Sequence, residues 1–365
     1  MLKTRLYRRC GRLRHTICLA LAAAVLNGGL LSVAAAVDVP TLYTAEVPYH
    51  REAKNPREAA YELALAAVLL RVSGSDLSSN AEAVRELFPD PASYVMQFRP
   101  GAKDSLWVSF DGQAIEQTLR DAGRTVWGAE RPLTLVWVAV DWGRGSREII
   151  AADDPDRTDG MSRSIDVNQR LRERILEIAE RRGLPLVFPL LDTIDLQRVS
   201  FSDIWGGFDE RIIAASNRYA VNSILIGRIR PSSGRREEWS YYFSGAERSW
   251  TGPPEAIVGR IADLLTAEFA VGGNAPVESV ALNVSGIESV QDYGSLQRLL
   301  AGISLIEHYV ITEVAGDRVS YRVDVRGGAD RLRRALRFNG LLEQENASPV
   351  GDVSSVGALE FFYGP

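Results

Sequence analysis

Leu133-Thr134-Leu135-Val136-Trp137-Val138-Ala139-Val140 decides the fold class. Only Thr134 interrupts the apolar run, so both faces of this strand must be covered. That pattern belongs to sheets packed between helices. The sequence beyond it supplies the helices. After a Gly-, Asp- and Arg-rich loop expected at 143–164, Val167, Leu171, Ile175 and Ile178 recur at helical spacing opposite Arg170, Arg174, Glu177 and Arg181. This predicts an amphipathic helix over 166–182, stopped by Gly183. A second buried strand is expected at 184–189, then a helix at 210–219 and a strand at 221–230. Two strands at 237–243 and 246–251 read as a hairpin, and Pro253-Pro254-Glu255 opens a helix to about residue 269. Residues 131–273 are therefore expected to form an α/β domain, a mixed sheet with helices.

Upstream, residues 41–49 read as a strand. Asn55-Pro56-Arg57-Glu58 reads as a helix start, with Asn55 as N-cap, Pro56 at the first helical position and Glu58 closing a capping box. The helix runs to Val72 and ends at Gly74. A short helix at 81–88, a strand at 106–110, an Asp111-Gly112 turn and a helix at 113–122 complete an N-terminal α/β domain, 37–130. Downstream, Gly272-Gly273-Asn274-Ala275-Pro276 reads as a linker. Beyond it come a strand (278–285), a helix (289–302), two strands (305–314 and 318–325) joined at Gly316-Asp317, and a helix (329–338). This βαββα order predicts a ferredoxin-like C-terminal domain, 274–365. Residues 344–355 read as loop and 357–363 as an edge strand. The fold class is α/β (α+β), in three small domains.

The first 36 residues have a different character. Lys3, Arg5, Arg8, Arg9, Arg12 and Arg14 precede an apolar run from Ile17 to Leu26, and Ala34-Ala35-Ala36 follows. This is the order of a cleavable secretory signal peptide, with Val37 the expected new N-terminus. The apolar run is shorter than the ~20 residues that cross a bilayer. Neither Cys10 nor Cys18 follows a lipoprotein-type site, so no lipid anchor is expected. Removal of residues 1–36 leaves 329 residues, 36 cationic side chains against 47 acidic ones, and no cysteine; the formal charge moves from −5 to −11. Such a chain lacks the basic footprint that nucleic acid or an anionic membrane requires. No later segment reaches 18 consecutive apolar residues, so no span is expected in the mature chain.

Motifs for chemistry are scarce. Beyond the leader only His50 and His308 remain for a zinc site or a catalytic triad, and neither lies in a recognisable pattern. Gly160-Met161-Ser162-Arg163-Ser164 lacks the closing glycine of a nucleophile elbow. Gly143-Arg144-Gly145 lacks the third glycine of a dinucleotide fingerprint. In the acidic run Asp153–Gly160, Pro155 and Arg157 fall at calcium-ligand positions, so it reads as a solvated loop. No catalytic residue, metal site or cofactor is expected. Arg331, Arg333, Arg334 and Arg337 make a basic helix face, read as solvated surface or a site for an acidic partner. Asp203-Ile204-Trp205-Gly206-Gly207-Phe208 is the candidate binding segment. Two glycines between aromatic residues permit close backbone approach, and tryptophan is a frequent hot-spot residue. With Asp209 as N-cap of the next helix, Phe208 would staple onto Ile213, and Trp205, beside Gly206 and Gly207, is either an exposed anchor for a partner or a lid folded back on the core.

Several stretches resemble a known family. They are Arg71-Val72-Ser73-Gly74, Trp127-Gly128-Ala129-Glu130-Arg131-Pro132 running into Leu135-Val136-Trp137, Arg182–Pro185 through Pro189–Asp192, and Asp203–Phe208. Together they resemble the uncharacterised proteobacterial envelope family called domain of unknown function 2066. That resemblance implies an envelope protein and carries no activity or site residue with it. More distantly, the run 210–251 is similar to domains of periplasmic assembly factors such as TolB and flagellar and curli accessory proteins. The expectation is a periplasmic, non-catalytic binding or assembly factor with an envelope protein partner. The alternatives are a carboxylate-dependent hydrolase acting on a saccharide, which needs two facing acids, and a small-ligand-binding protein.

Overall fold

The computed structural model describes residues 36–152, 163–221, 223–231, 237–303, 305–338, 342–344 and 358–364. Apart from Ala36, the expected signal peptide lies outside these residues, as does the acidic run 153–160.

The N-terminal region runs β1 (Ala36–Asp38), β2 (Thr44–Pro48), α1 (Pro56–Ser73), α2 (Ser75–Ser78), α3 (Ala81–Leu87), β3 (Val95–Pro100), β4 (Ser105–Phe110), α4 (Gly112–Asp121), β5 (Thr125–Val126) and β6 (Glu130–Pro132). Strands β2, β4 and β3 form an antiparallel sheet in that order. Alternation in β4 sends Leu106, Val108 and Phe110 into a core with Leu65, Val68 and Leu69 of α1 and Ile115 and Leu119 of α4. The start of α1 differs from the expected capping box. The Asn55 side chain caps no backbone group and instead donates to Glu58 Oε2 at 2.7 Å. Strand β3 was not legible: its residues are exposed except for half-buried Val95, so no alternation marks it.

The middle region runs β7 (Thr134–Gly143), β8 (Ser146–Ile149), α5 (Arg163–Arg181), β9 (Leu186–Val187), α6 (Thr193–Arg198), α7 (Phe201–Gly206), α8 (Asp209–Ser216), β10 (Ser223–Ile229), β11 (Glu238–Phe243), β12 (Ala246–Thr251) and α9 (Pro254–Phe269). Its sheet has the order β12-β11-β10-β7-β8, with β9 also on β7. Strand β7 is parallel to β9 and β10 and antiparallel to β8. Eight consecutive residues of β7, Thr134–Asp141, are buried. Ile175 and Ile178 of α5 and Ile257, Ile261 and Leu265 of α9 cover one face, while Ile204 of α7 and Ile212 of α8 cover the other. The mixed α/β expectation is met, with three local differences. Residues 146–149 are strand rather than loop, because β7 turns back at Gly143, whose φ is 83°. The strand expected at 184–189 shrinks to two half-buried residues. Finally, Phe201–Gly206 is helical.

The C-terminal region runs β13 (Val271–Gly272), β14 (Val277–Ser285), α10 (Val290–Gly302), β15 (Ile306–Ala315), β16 (Arg318–Arg326), α11 (Ala329–Phe338), β17 (Leu342–Gln344) and β18 (Leu359–Tyr363). Strand order β15-β16-β14 with antiparallel pairing is that of a split βαβ unit. The edge then departs from a ferredoxin-like sheet. Strand β18 lies parallel to β14, and β17 pairs outside it. The strand expected at the edge is therefore an interior one, and Leu359, Phe361 and Tyr363 enter the core. The expected linker is a clasp. Val271 and Gly272 pair with Val126 and Thr125. Gly273 lies so close to the Arg120 carbonyl that an added Cβ would stand 2.0 Å from its oxygen.

The fold is thus a mixed α/β arrangement with several small sheets, mixed and antiparallel. No helix among the described residues is long and apolar enough to cross a membrane.

Candidate functional site: an open groove

Helix α4 begins where Asp111 accepts the Ala114 N–H at 3.1 Å, which fixes its N-terminus beside the end of β4. The amphipathic pattern of α4 buries Ile115 and Leu119 and turns Gln113 and Gln117 outward. On the far side, Ser289 and Asp292 close a capping box at the start of α10, which directs Ser295, Arg298 and Gly302 toward α4. Between them runs an open groove of about 1370 Å³. Met96 and Gln97 of β3 border it on one side, and Ile306 and Glu307 of β15 on the other.

The charges of the groove are largely committed. Tyr43 donates to Glu116 Oε1, and Arg120 Nη1 lies 2.9 Å from Glu116 Oε2. Burial first, and then the Glu116 charge, raise the Tyr43 phenol above the ordinary tyrosine range, so it stays protonated as a donor. Glu307 pairs with Arg326 Nε at 2.7 Å, and Arg298 bonds Ser295 Oγ at 3.1 Å. Beside the Arg298 charge, the surface offers mainly amides, hydroxyls and backbone. Sequence reading missed it, because α4, α10, β3 and β15 are each ordinary alone and meet only in the fold.

The residues singled out in sequence lie elsewhere. Trp205 and Gly206 end α7, Gly207 is its left-handed C-cap at φ 74°, and Phe208 is the N-cap of α8. Phe208 is one position later than the staple requires and is 58% exposed, so the expected staple is not formed. Trp205 is half-buried and stacks on Phe201 at 5.2 Å. Arg230 lies 4.9 Å from its ring and Arg147 5.8 Å from that of Phe201. Both arginines reach Asp141, Arg230 at 2.9 Å and Arg147 at 3.8 Å. The five residues close a circuit beyond the carboxyl ends of β7 and β10. Trp205→Ala should therefore cost about 1–3 kcal/mol, from lost stacking and cation–π contact. Thermal melting checks this; an unchanged Tm would mean the circuit contributes nothing.

Three arginines of the basic helix face have structural partners. Arg331 donates to the Ala270 carbonyl, Arg334 pairs with Glu268 and Arg333 with Asp330. His50 and His308 are exposed. Among the described residues no group of three His, Cys, Asp or Glu side chains is placed to hold a metal ion.

Three aspartates of the middle region are held below the ordinary carboxylate range. The Arg218 guanidinium does this for Asp192, the Ser200 hydroxyl for Asp203 and the Gly143 N–H for Asp141. Their folded pKa values lie below the unfolded one, so the stabilisation is complete above about pH 4 and is lost as pH falls through the lower folded values. The urea midpoint should accordingly decline from about pH 4.5 toward pH 2. A midpoint that rises on acidification would contradict these assignments.

Its mixed and antiparallel sheets with packed helices place the chain among α/β (α+β) proteins. Residues 36–128 match the family model described as a domain of unknown function, DUF8605. This overturns the resemblance to domain of unknown function 2066. No curated protein and no solved structure matches the chain.

Proposed function

We propose that this chain is exported to the periplasm of a Gram-negative-type envelope and acts there as a non-catalytic binding or assembly factor. It holds a polypeptide segment of another envelope protein in the groove between α4 and α10. The size of the groove carries this reading. Small-molecule sites enclose about 300–1,000 Å³, whereas this groove is about 1370 Å³ and open. An open trough lined by Gln97, Gln113, Gln117 and Ser295 suits a chain rich in backbone donors and acceptors. The saccharide-hydrolase alternative is less well supported. Its two carboxyl groups must be available to a substrate, but of the four groove carboxylates Glu116 is occupied by Tyr43 and Arg120, Glu307 by Arg326, and Asp111 caps α4 through the Ala114 N–H, with Glu130 the fourth.

The test is site-specific photo-crosslinking in intact envelopes. A crosslinking residue replacing Gln117 should give a discrete protein adduct, and one replacing exposed Arg248 on β12 should give none. Equal adducts from both positions, or none from Gln117, would overturn the groove reading. Intact mass of the envelope-purified protein tests export separately: retention of residues 1–36 would contradict it.

A further inference from the structure

The groove continues into a sheet edge. Strand β15 is the outer strand of the C-terminal sheet, bonded to β16 on one side only. Its first residues, Ile306 and Glu307, line the groove. None of its ten residues is buried, and Val310, Ile311 and Val314 are 41%, 43% and 64% exposed. Native edges of this length are usually guarded by lysine, proline or a covering element. This strand has neither lysine nor proline. Its guard is a pair of register shifts, between Ile306 and His308 and between Ile311 and Glu313. They leave His308–Ile311 as a regular run whose outer backbone is unpaired among the described residues. That run is a template for another extended chain, since a strand supplies donors and acceptors at the right repeat.

We propose that β15 takes up an extended segment of the partner protein by strand addition along His308–Ile311, continuing the chain held in the groove. This rests on the groove reading. The chemistry of the incoming segment follows from what β15 presents. Val310, Ile311 and Val314 call for aliphatic side chains. The charged groups of the strand are carboxylates, Glu307 and Glu313, and Glu307 already has Arg326. A segment alternating aliphatic with lysine or arginine residues therefore fits, its cation near Glu313. A second copy of this chain fits less well. Antiparallel self-pairing centred on the regular run would set Tyr309 opposite Val310 and bring each Glu307 toward Thr312, leaving Glu313 with no cation.

The probe is a fluorescein-labelled peptide of roughly ten residues alternating valine with lysine and threonine, titrated into the purified protein. Binding with a Kd of about 10–100 μM is expected, with slowed amide exchange at Tyr309–Ile311. A glutamate-for-lysine peptide should bind about tenfold more weakly, and a peptide N-methylated at alternate residues should not bind. The double variant Val310→Lys/Val314→Lys should lose about tenfold in affinity with Tm unchanged. No binding at about 1 mM, undiminished binding of the N-methylated peptide, or protection absent from β15 would each overturn the proposal. Envelope crosslinking from Gln117 that persists in the double variant at full strength would overturn strand addition and leave the groove reading standing. Loss of the Gln117 adduct in the otherwise unaltered chain would remove the groove reading itself.

Discussion

Replacing Arg131 by methionine is expected to destabilise the protein by about 3–5 kcal/mol, the largest effect of any single change considered. Arg131 is completely buried. Its Nε donates to the Gly128 carbonyl at 3.1 Å, Nη1 to those of Gly183 and Arg182 at 2.9 and 3.3 Å, and Nη2 to those of Arg71 and Trp127 at 2.7 and 3.0 Å. The guanidinium also lies 4.0 Å from the centroid of the Trp127 ring. Arg71 is in the last turn of α1 and Arg182 follows α5, so one side chain satisfies carbonyls at two helix ends. The partial negative charge at a helix C-terminus favours a cation there. Burial is the chief cause that pulls this guanidinium down, to about 9, so it remains charged at neutral pH. Methionine fills much of the volume but leaves these carbonyls without a donor. Lysine restores the charge but not the planar fork, so Arg131→Lys should fall between wild type and Arg131→Met. Urea unfolding measures the difference, and hydrogen exchange should quicken at the ends of both α1 and α5. Arg131→Met with a change under about 1 kcal/mol would show that the carbonyls find other partners.

The second large effect is expected at Asp195. Asp195→Ala should cost about 3–4 kcal/mol and loosen 189–198. The carboxylate has no solvent exposure. It accepts from Arg218 Nη1 at 2.9 Å, from the Leu191 N–H at 3.0 Å and from the Tyr219 hydroxyl. Tyr219 in turn accepts the Leu190 N–H at 2.8 Å. Burial first, and then the hydrogen bond to Asp195, push the Tyr219 phenol up to about 12. This network holds Leu191 at φ 51°, a left-handed conformation that costs a side-chain-bearing residue about 1 kcal/mol or more. Without the carboxylate the Leu191 N–H and the Tyr219 hydroxyl lose their acceptor, Arg218 keeps only Asp192, and the strained backbone has less to hold it. Asp195→Asn keeps the shape and part of the accepting capacity, so its cost should be smaller. Limited proteolysis offers a second readout, with faster cleavage near Leu190–Leu196. Equal protease resistance in Asp195→Ala and wild type would show that the loop is held by its packing alone.

Much of the fold was legible because its signals are local. The buried run at 133–140, the heptad-like spacing of Leu171, Ile175 and Ile178, and the Pro253-Pro254-Glu255 start each state a period or a cap within a few residues. Strand β3 carried no such signal, since only Val95 of it is even half-buried and so its residues have little reason to alternate. Gly272–Pro276 has the composition of a linker, but composition does not reveal that Gly273 has the Arg120 carbonyl against it. The Trp205 segment was conspicuous as a motif, and in the fold its tryptophan is occupied by Phe201 and Arg230.

By itself the sequence determined the α/β class, most elements, the acidic balance of the chain beyond residue 36 and the expectation of export. These depend on residue type, short-range periodicity and net composition. Only the tertiary structure decided that β18 enters the sheet beside β14, that Arg131 bonds carbonyls 52 and 60 residues away, and that α4 faces α10 across a groove. Those features depend on which backbone groups are left unpaired once the local elements have formed. Such groups are satisfied by whatever the chain brings near them, and no repeat or cap in the sequence records that meeting.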